Sequence, residues 1–301
     1  MKYRITHKTV YEYSDTVPMC RNKVYLTPRS MPRQTCSYHR LVVKPTPGEL
    51  RRRTDYFGNS HTYFVITEGH RRLSVTGIST VDAKPAPRPA AAESPAWEQV
   101  REKLPTLRGR EQRQNYEFCF DSPYVPRRPE LAEYAAVSFA PGRPIVECVA
   151  DFTSRMHREF TYDPTATNVN TPVEEVFEKR RGVCQDLAHV QLACLRSLGL
   201  AARYVTRYLR TRPLNGEPRL TGADASHAWV SVYLGETGWL DVDPTNNLIV
   251  GEDHVTLAWG RDYGDVCPIS GLFVGGGSHT LNVAVDVQPL EDHPVSAGGG
   301  G

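Results

Sequence analysis

The most informative segment of the chain reads Arg181-Gly182-Val183-Cys184-Gln185-Asp186-Leu187-Ala188. Apolar residues then recur at Leu187, Val190, Cys194 and Leu198. This spacing predicts a helix with one buried side, and Cys184 lies at its start. The free N–H groups and the positive end of the helix dipole would stabilise a thiolate there and could donate to an oxyanion. Taken alone, the same position also suits a small buried apolar residue.

Strands are predicted downstream of this helix at 200–209, 226–234 and 238–243. Side chains alternate in character along them, which is typical of half-buried strands. His227 lies on the more polar face of the second strand, and Asp243 ends the third immediately before a proline. The alternation therefore predicts that a histidine and a carboxylate share one face of an antiparallel sheet.

The register of the last two strands decides which carboxylate the histidine meets. A hairpin centred on Gly235, with a three-residue loop at 234–236, would place His227 directly opposite Asp243. A register shifted by two residues would place Asp241 opposite His227 instead. Asp243 and Asp241 are therefore competing candidates.

Each of these residues also has a purely structural interpretation. A strand histidine can pack against Trp229 and Trp239, and an aspartate before a proline often starts a turn. Together, however, a helix-start cysteine, a histidine and an aspartate are typical of a nucleophile, its base and the group that orients the base. Cys184, His227 and Asp243 are therefore the candidate catalytic residues.

The sequence before this region predicts a second, all-β unit. Strand-like runs at 3–13, 62–66 and 73–81 alternate with turn signals, which favours an antiparallel β-sandwich without an obvious catalytic cluster. A Pro- and Ala-rich stretch at 84–92 then predicts a linker or a surface strap. We expect an N-terminal β-sandwich at 1–83, the linker at 84–110, a catalytic core at 111–295 and a flexible Gly-rich tail at 296–301.

Helical patterns begin after the linker. Apolar residues at i, i+4, i+7 and i+11 predict an amphipathic helix over 145–157, and a shorter helix is predicted from 172 to about 179. The chain is therefore predicted to be α+β, with helices packed on an antiparallel sheet in its second part.

Composition restricts the partners. The 301 residues include 36 Lys and Arg and 34 Asp and Glu, a formal net charge of +2, which argues against nucleic-acid binding through a broad basic surface. No window is long and apolar enough for a membrane span, and the N-terminus lacks the apolar region of a signal peptide. We expect neither a nucleic-acid nor a membrane partner, and the oligomeric state stays open.

The cysteines indicate the compartment. There are seven, an odd number, and no CxxC pair occurs. This pattern excludes a fully paired disulfide framework and a paired-cysteine zinc ribbon. We therefore expect a reducing compartment, the cytoplasm, in which one cysteine can be a nucleophile.

The blocks around the three candidate residues resemble the transglutaminase-like superfamily. The similar segments are Gly182-Val183-Cys184-Gln185-Asp186-Leu187-Ala188, 195–203, His227-Ala228-Trp229 and 238–245. The front of the chain is similar to the β-rich N-terminal domain of bacterial transglutaminase-like proteins. That similarity is carried by 7–13, 26–29 and Phe57-Gly58-Asn59.

The resemblance implies a papain-like core in which Cys184 is the nucleophile, His227 the base and then the acid, and Asp243 the orienting carboxylate. The family carries its aspartate in an Asp-Pro-Thr block, which favours Asp243 over Asp241. Family members are acyltransferases, deamidases, or cysteine proteases and amidases, and all act through a thioester.

Among these activities we expect hydrolysis of an amide or peptide bond, because no amine-binding feature stands out. The alternative is a protein-glutamine gamma-glutamyltransferase or deamidase, and the second alternative is a catalytically idle binding module. The expected partner is a protein or peptide substrate, with a small amine as acceptor if the enzyme is a transferase.

The sequence also departs from some branches of the family. It lacks the acidic calcium loops of the large animal crosslinking enzymes and the CxxC zinc motifs of the peptide N-glycanase branch, so we expect no metal and no cofactor. Specificity is expected in loops at 163–171, 211–225 and 246–275. Within the last loop, the run 260–268 could line the cleft near Asp243, but it is interpreted as a surface connection. His189 lies about 500° round the helix from Cys184, so we expect a structural or solvent-side role for it rather than metal ligation.

Overall fold

The computed structural model describes residues 1–85, 90–209, 225–251 and 254–290. In these ranges two antiparallel four-stranded sheets form a sandwich, and a separate five-stranded antiparallel sheet is packed with helices. The predicted fold class, α+β with an N-terminal β-sandwich and a core of helices on an antiparallel sheet, is therefore confirmed. None of the helices in these ranges combines the length and the apolar character needed to cross a membrane.

The strands and helices follow one another along the chain in two blocks. The sandwich strands of the first block are β1 (Lys2–Val17), β2 (Met19–Val24), β3 (Gln34–Lys44), β4 (Glu49–Thr54), β5 (Ser60–Ile66) and β6 (His70–Ala83). The helices are α1 (Trp97–Lys103), α2 (Arg110–Glu117), α3 (Pro129–Ala136), α4 (Ile145–Glu159), α5 (Val173–Lys179), α6 (Cys184–Ser197) and α7 (Tyr263–Val266). The remaining strands are β7 (Thr161–Tyr162), β8 (Arg181–Gly182), β9 (Ala202–Leu209), β10 (Ala225–Tyr233), β11 (Trp239–Asp243), β12 (Leu248–Ile249), β13 (His254–Gly260), β14 (Ile269–Val274) and β15 (His279–Leu290).

Alternating side chains build the sandwich as the sequence predicts. One sheet has the order β15-β1-β6-β3 and the other β14-β2-β5-β4. Phe64 and Ile66 on β5, and Leu73 and Val75 on β6, are all buried in the core between the sheets. Because successive side chains of a strand point to opposite faces, these alternating apolar residues fill one interior.

The last two strands return to the sandwich. β14 pairs with β2 and β15 pairs with β1 along most of its length. The chain turns between them through three glycines, Gly275, Gly276 and Gly277, whose φ angles are +73°, +83° and +62°. The domain limits stay a proposal, but strand pairing groups 269–274 and 279–290 with the N-terminal sandwich rather than with the core that we expect over 111–295.

The expected linker also differs from the structure in part. Of the segment 84–110, residues 86–89 lie outside the described ranges. Trp97 and Val100 on α1 and Leu104 just after it are buried in the main hydrophobic core. Their spacing of three and four residues turns them to one side of a helix, so this part of the segment packs as core instead of lying over the surface.

The central sheet of the second block carries the helices. Its order is β12-β11-β10-β9-β13, and α6 lies against β9 and β10. Every residue of α6 from Asp186 to Arg196 is buried, because α3, α4 and α5 cover the sides that the sheet does not. The helix is therefore fixed on the sheet, with its first turn at the margin of the packed core.

Two side-chain amides fasten the sandwich to β13. Gln34 donates to the carbonyl of Thr256 at 2.7 Å and accepts from its N–H at 2.8 Å. Asn59 donates to the carbonyl of Trp259 at 2.8 Å and accepts from its N–H at 3.0 Å. The guanidinium of Arg29 stacks on the Trp259 ring at 3.5 Å. Paired backbone bonds of this kind resemble a sheet ladder, so they fix the two units relative to each other.

Candidate active site

The first turn of α6 holds Cys184 in place. Val183 is the residue before the helix, and its N–H donates to Asp186 Oδ2 at 2.8 Å. The hydroxyl of Thr167 donates to the same oxygen at 2.6 Å. This carboxylate therefore binds the start of the helix to the loop before it, as the acidic member of a capping box does. Cys184 follows directly, at the end of the helix where N–H groups lack intrahelical partners.

The hairpin register differs from the predicted one. Ser231 lies opposite Asp241, and the closing turn is Gly235–Thr237. The predicted pairing of His227 directly opposite Asp243 is therefore wrong by two residues, in the direction away from Asp241. Since a shift of two keeps every side chain on its face, His227 and Asp243 still share a face and meet diagonally.

The two side chains are in hydrogen-bond contact. His227 Nε2 lies 3.0 Å from Asp243 Oδ2. Asn246 Nδ2 donates to the same carboxylate oxygen at 2.8 Å and lies 3.1 Å from His227 Nε2. The backbone N–H groups of Thr245 and Asn246 donate to Asp243 Oδ1 at 3.0 and 3.2 Å. With Nε2 bound to the carboxylate, Nδ1 is the ring nitrogen left to face the thiol.

Arg207 is a member of this site that the sequence did not suggest. Its guanidinium forms an ion pair with Asp243 Oδ2, and both side chains are fully buried. The same guanidinium stacks on the buried ring of Trp229 at 3.9 Å. Arg207 is directly opposite His227 in the pairing of β9 with β10, which brings it to the same face. It lies in a strand of mostly apolar residues, so no pattern sets it apart.

The thiol of Cys184 is coupled to the histidine. Burial by itself raises the pKa of the thiol, but a hydrogen bond from His227, the charge of that ring, the backbone amide of Ala228 and the charge of Arg207 all lower it. Together these contributions outweigh the effect of burial, so the pKa of Cys184 falls below its usual value of 9.0. In physical terms the environment favours the thiolate, which is the nucleophilic form of cysteine.

The pKa values of the histidine and the aspartate move in the complementary directions. Burial lowers the pKa of His227, but the hydrogen bonds with Asp243 and Cys184 outweigh it, and the net shift is upward from 6.5. Burial raises the pKa of Asp243, but His227 and Arg207 outweigh it and hold the pKa well below 3.8. The arrangement therefore favours an imidazolium between a thiolate and an ionised carboxylate.

The competing carboxylate has a different partner. Asp241 forms an ion pair with Arg33 of the N-terminal unit, and both side chains are largely buried. Its carboxylate therefore fastens β11 to the loop before β3. Asp243, not Asp241, is the carboxylate that the structure brings to His227.

A cleft of about 270 Å³ opens beside Cys184 and His227. One side of it comes from α6, β9 and β10, and the other from β1, β15 and the segment around α7. Tyr263 and Cys267 line it, so the interpretation of 260–268 as a mere surface connection is wrong. Of the three predicted specificity loops, 246–275 contributes to the cleft, 163–171 does not line it, and 211–224 lies outside the described ranges.

His189 has a structural role rather than the solvent-side one that we also expect for it. It is buried, its ring lies between Tyr124 and Tyr204, and its Nε2 accepts from the backbone N–H of Tyr263 at 3.2 Å. Burial lowers its pKa to about 3. It therefore stays neutral and supports one edge of the cleft. In the described part of the chain, histidine, cysteine and acidic side chains form no group of three or more that could hold a metal ion.

Comparison with known families gives two matches. The family described as bacterial transglutaminase-like N-terminal region matches residues 3–82, and the transglutaminase-like superfamily matches residues 136–244. The first coincides closely with β1–β6, and the second runs from the end of α3 to just beyond β11.

Relatives extend over nearly the whole chain. The uncharacterized protein Rv2569c of Mycobacterium tuberculosis is 41% identical over 305 residues, which cover 98% of this chain and 95% of the relative. A protein-glutamine gamma-glutamyltransferase of Pseudomonas aeruginosa is 31% identical over 122 residues, 40% of this chain and 18% of that enzyme. Among solved structures, a proposed cysteine protease of Cytophaga hutchinsonii superposes with a TM-score of 0.72 at 22% identity, covering 98% of this chain and 93% of the other. That likeness establishes a shared fold.

Proposed function

Because the chain belongs to the transglutaminase-like superfamily, we propose that it is a cysteine enzyme that hydrolyses amide or peptide bonds. Cys184 is the nucleophile, His227 the base and acid, and Asp243 the group that orients the histidine. One observation carries the proposal: the thiol of Cys184, whose pKa is lowered, contacts His227, and Nε2 of that histidine lies 3.0 Å from the buried carboxylate of Asp243.

Acylation begins from the thiolate–imidazolium pair. The sulfur of Cys184 attacks the substrate carbonyl carbon, and the carbonyl oxygen takes the negative charge. The backbone N–H of Cys184, at the first turn of α6, supports that oxyanion. As the tetrahedral intermediate collapses, the C–N bond breaks and the imidazolium of His227 protonates the departing nitrogen. An acyl thioester on Cys184 and a free amine or ammonia result.

Deacylation uses the same histidine as a base. The neutral imidazole takes a proton from a water molecule, whose oxygen attacks the thioester carbon. The C–S bond then breaks, the carboxylic acid leaves, and the thiolate–imidazolium pair is restored. Asp243 keeps the ring in the orientation that both steps need and stabilises its positive charge.

The choice between water and an amine rests on the cleft. None of the described residues lining it is an aspartate or a glutamate. A cationic amine acceptor would have to be held there without a counter-charge, which is unfavourable. This favours hydrolysis, whereas the local similarity to a protein-glutamine gamma-glutamyltransferase favours transfer or deamidation as the alternative. A protein or peptide is the proposed substrate in each case.

The test incubates the full chain with a casein-type protein and a fluorescent amine. We expect new peptide termini or released ammonia, little amine incorporation, and loss of both products in a Cys184→Ala variant. Amine incorporation exceeding hydrolysis would replace the hydrolase by the transferase. No product of either kind with an unreactive Cys184 would identify a binding module that keeps the fold without the chemistry.

The proposed location is the cytoplasm, and it rests on the cysteines. All seven are free thiols, and four of them are buried. A reducing compartment keeps such thiols unpaired. Thiol counting on the protein isolated from its own cell under denaturing, acid-quenched conditions should find seven. A lower count would indicate an oxidising compartment.

A further inference from the structure

The cleft beside Cys184 has one wall that comes from the N-terminal sandwich. Strands β1 and β15 pair with Thr9 opposite Val283 and Tyr11 opposite Leu281, and all four residues line the cleft. Residues opposite each other in an antiparallel pair project to the same side. We refer to Thr9, Tyr11, Leu281 and Val283 as the sandwich wall.

This wall is held firmly against the catalytic unit. His7, on the same face of β1, contacts the hydroxyl of Tyr208 on β9 at 3.1 Å, and its other ring nitrogen lies 3.0 Å from Thr9 Oγ1. All three side chains are buried. Since Tyr208 belongs to the same strand as Arg207, the wall and the catalytic residues are fixed on one continuous scaffold.

The wall is apolar yet open. Leu281 is 55% exposed and Val283 48% exposed, within a run of exposed residues at the start of β15. No Asp, Glu, Lys or Arg is found among the described residues that line the cleft. A charged group entering beside the wall, away from Cys184 and His227, would lose water without gaining an ionic partner, whereas an apolar group would be removed from water against Leu281 and Val283.

We propose that the sandwich wall is a specificity surface that receives an uncharged, apolar side chain of a peptide substrate next to the amide that Cys184 attacks. This inference rests on the proposed function, because it needs Cys184 as the reacting group. It assigns a role to the N-terminal sandwich: the domain completes the substrate site that the catalytic core only half encloses.

Alkylation of Cys184 by three chloroacetamides tests the inference without a known substrate. Chloroacetamide itself reports the thiol alone, N-benzyl-2-chloroacetamide adds an apolar ring, and its 4-carboxybenzyl analogue adds a negative charge. The rate at Cys184 is followed by mass spectrometry of its peptide. The benzyl probe is expected to react about tenfold faster than chloroacetamide, the low end for burying an aromatic ring. The carboxybenzyl probe should show no such gain.

Charge placed on the wall should change this order. Leu281→Glu should remove the benzyl advantage, measured as the ratio of the benzyl rate to the chloroacetamide rate of the same variant. Leu281→Lys should remove it as well, but should speed the carboxybenzyl probe several-fold. Leu272 is the matched control. It is 79% exposed on β14, an edge strand of the other sheet of the sandwich, and it does not line the cleft. Leu272→Glu should leave all three rates as they are.

The outcomes separate the two proposals. The specificity surface is overturned, and the proposed enzyme is not, if wild-type Cys184 reacts rapidly with chloroacetamide but shows no preference for the benzyl probe. The same conclusion follows if that preference survives Leu281→Glu. A Cys184 that is as slow as the buried thiols with all three probes overturns the proposed function, and the inference with it. The milder Leu281→Ala should reduce the benzyl preference in part, so the comparison holds even where a charged variant fails to fold.

Discussion

Removing either member of the buried ion pair of Arg207 and Asp243 should destabilise the protein strongly, and the two losses of stability should differ. Both side chains are fully buried, so removing one leaves the charge of the other without compensation. Such a change typically costs about 3–5 kcal/mol, whereas replacing both members of a buried pair is often nearly neutral. The substitutions are Arg207→Met and Asp243→Asn, which keep the approximate shape of each side chain.

The surroundings of each group decide which change costs more. Without Arg207, the Asp243 carboxylate still has His227, Asn246 and two backbone N–H donors within 3.2 Å. Without the carboxylate, Arg207 retains the stacked ring of Trp229, and its Nε and Nη1 have no partner among the described residues. We therefore expect Arg207→Met to lower the free energy of unfolding by about 3 kcal/mol and Asp243→Asn to lower it by about 5 kcal/mol.

Equilibrium urea unfolding at neutral pH measures both variants and the double variant. Because the two groups interact directly, the double variant should lose at least about 3 kcal/mol less than the sum of the single losses. A matched surface pair, Lys179 and Glu175, has its two groups 2.6 Å apart but half exposed, and Lys179→Met should cost less than about 1 kcal/mol. Additivity within about 0.5 kcal/mol would contradict direct coupling. A larger loss for Arg207→Met than for Asp243→Asn would contradict the assigned surroundings.

The same arginine substitution has a separate kinetic signature. Burial is the largest influence on the pKa values of Cys184 and His227 and stays in place, but the positive charge of Arg207 lowers both. Arg207→Met should therefore move the acid and the alkaline limbs of the pH–rate profile to higher pH together. A purely structural role would lower the rate without moving the limbs.

Two further predictions concern the backbone before the nucleophile and the buried histidines. A Cβ at Gly182 would lie 2.7 Å from Asp186 Oδ2, so Gly182→Ala should displace that carboxylate and reduce activity at least tenfold; Gly48→Ala, where no atom lies within 4 Å, should leave it unchanged. Burial lowers the pKa of His7 to about 4 and that of His189 to about 3, so both rings stay neutral in the folded protein. In the unfolded chain both rings take up a proton below about pH 6.5. As the pH is lowered from 6.5 to 4, the free energy of unfolding measured in urea should therefore fall by about 1.4 kcal/mol per pH unit for each histidine. The double substitution His7→Gln and His189→Gln should flatten that slope. Equal activity for the two alanine variants, or an unchanged slope, would contradict these assignments.

The local features of the candidate site could be predicted from the sequence. The helix that begins at Cys184 follows from the apolar spacing of the residues after it. That His227 and Asp243 share a face follows from strand alternation alone, which is why an error of two residues in register still left them together. The error arose at the turn, where Gly235 and Gly238 both take positive φ, at +81° and +91°, and move the closing pair to Leu234 and Gly238.

Long-range pairing could not be predicted in the same way. Nothing local in either segment indicates that β15 pairs with β1 at the other end of the chain. The cleft is completed by that pairing, so the part played by Tyr11 and Leu281 was not visible in either segment alone. Arg207 was missed for a related reason. Its partner is 36 residues away, and only the folded sheet brings them together.

The central claim is that His227 keeps the Cys184 thiol reactive, and the pH dependence of iodoacetamide alkylation at that residue tests it most directly. The rate is followed for each cysteine separately by mass spectrometry. In the wild-type protein Cys184 should titrate below the ordinary thiol pKa of 9.0, and His227→Ala should raise that pKa. Cys194, whose pKa burial raises, is the internal control and should react slowly throughout. A Cys184 that titrates at or above 9.0, or that is unchanged by His227→Ala, would contradict the claim.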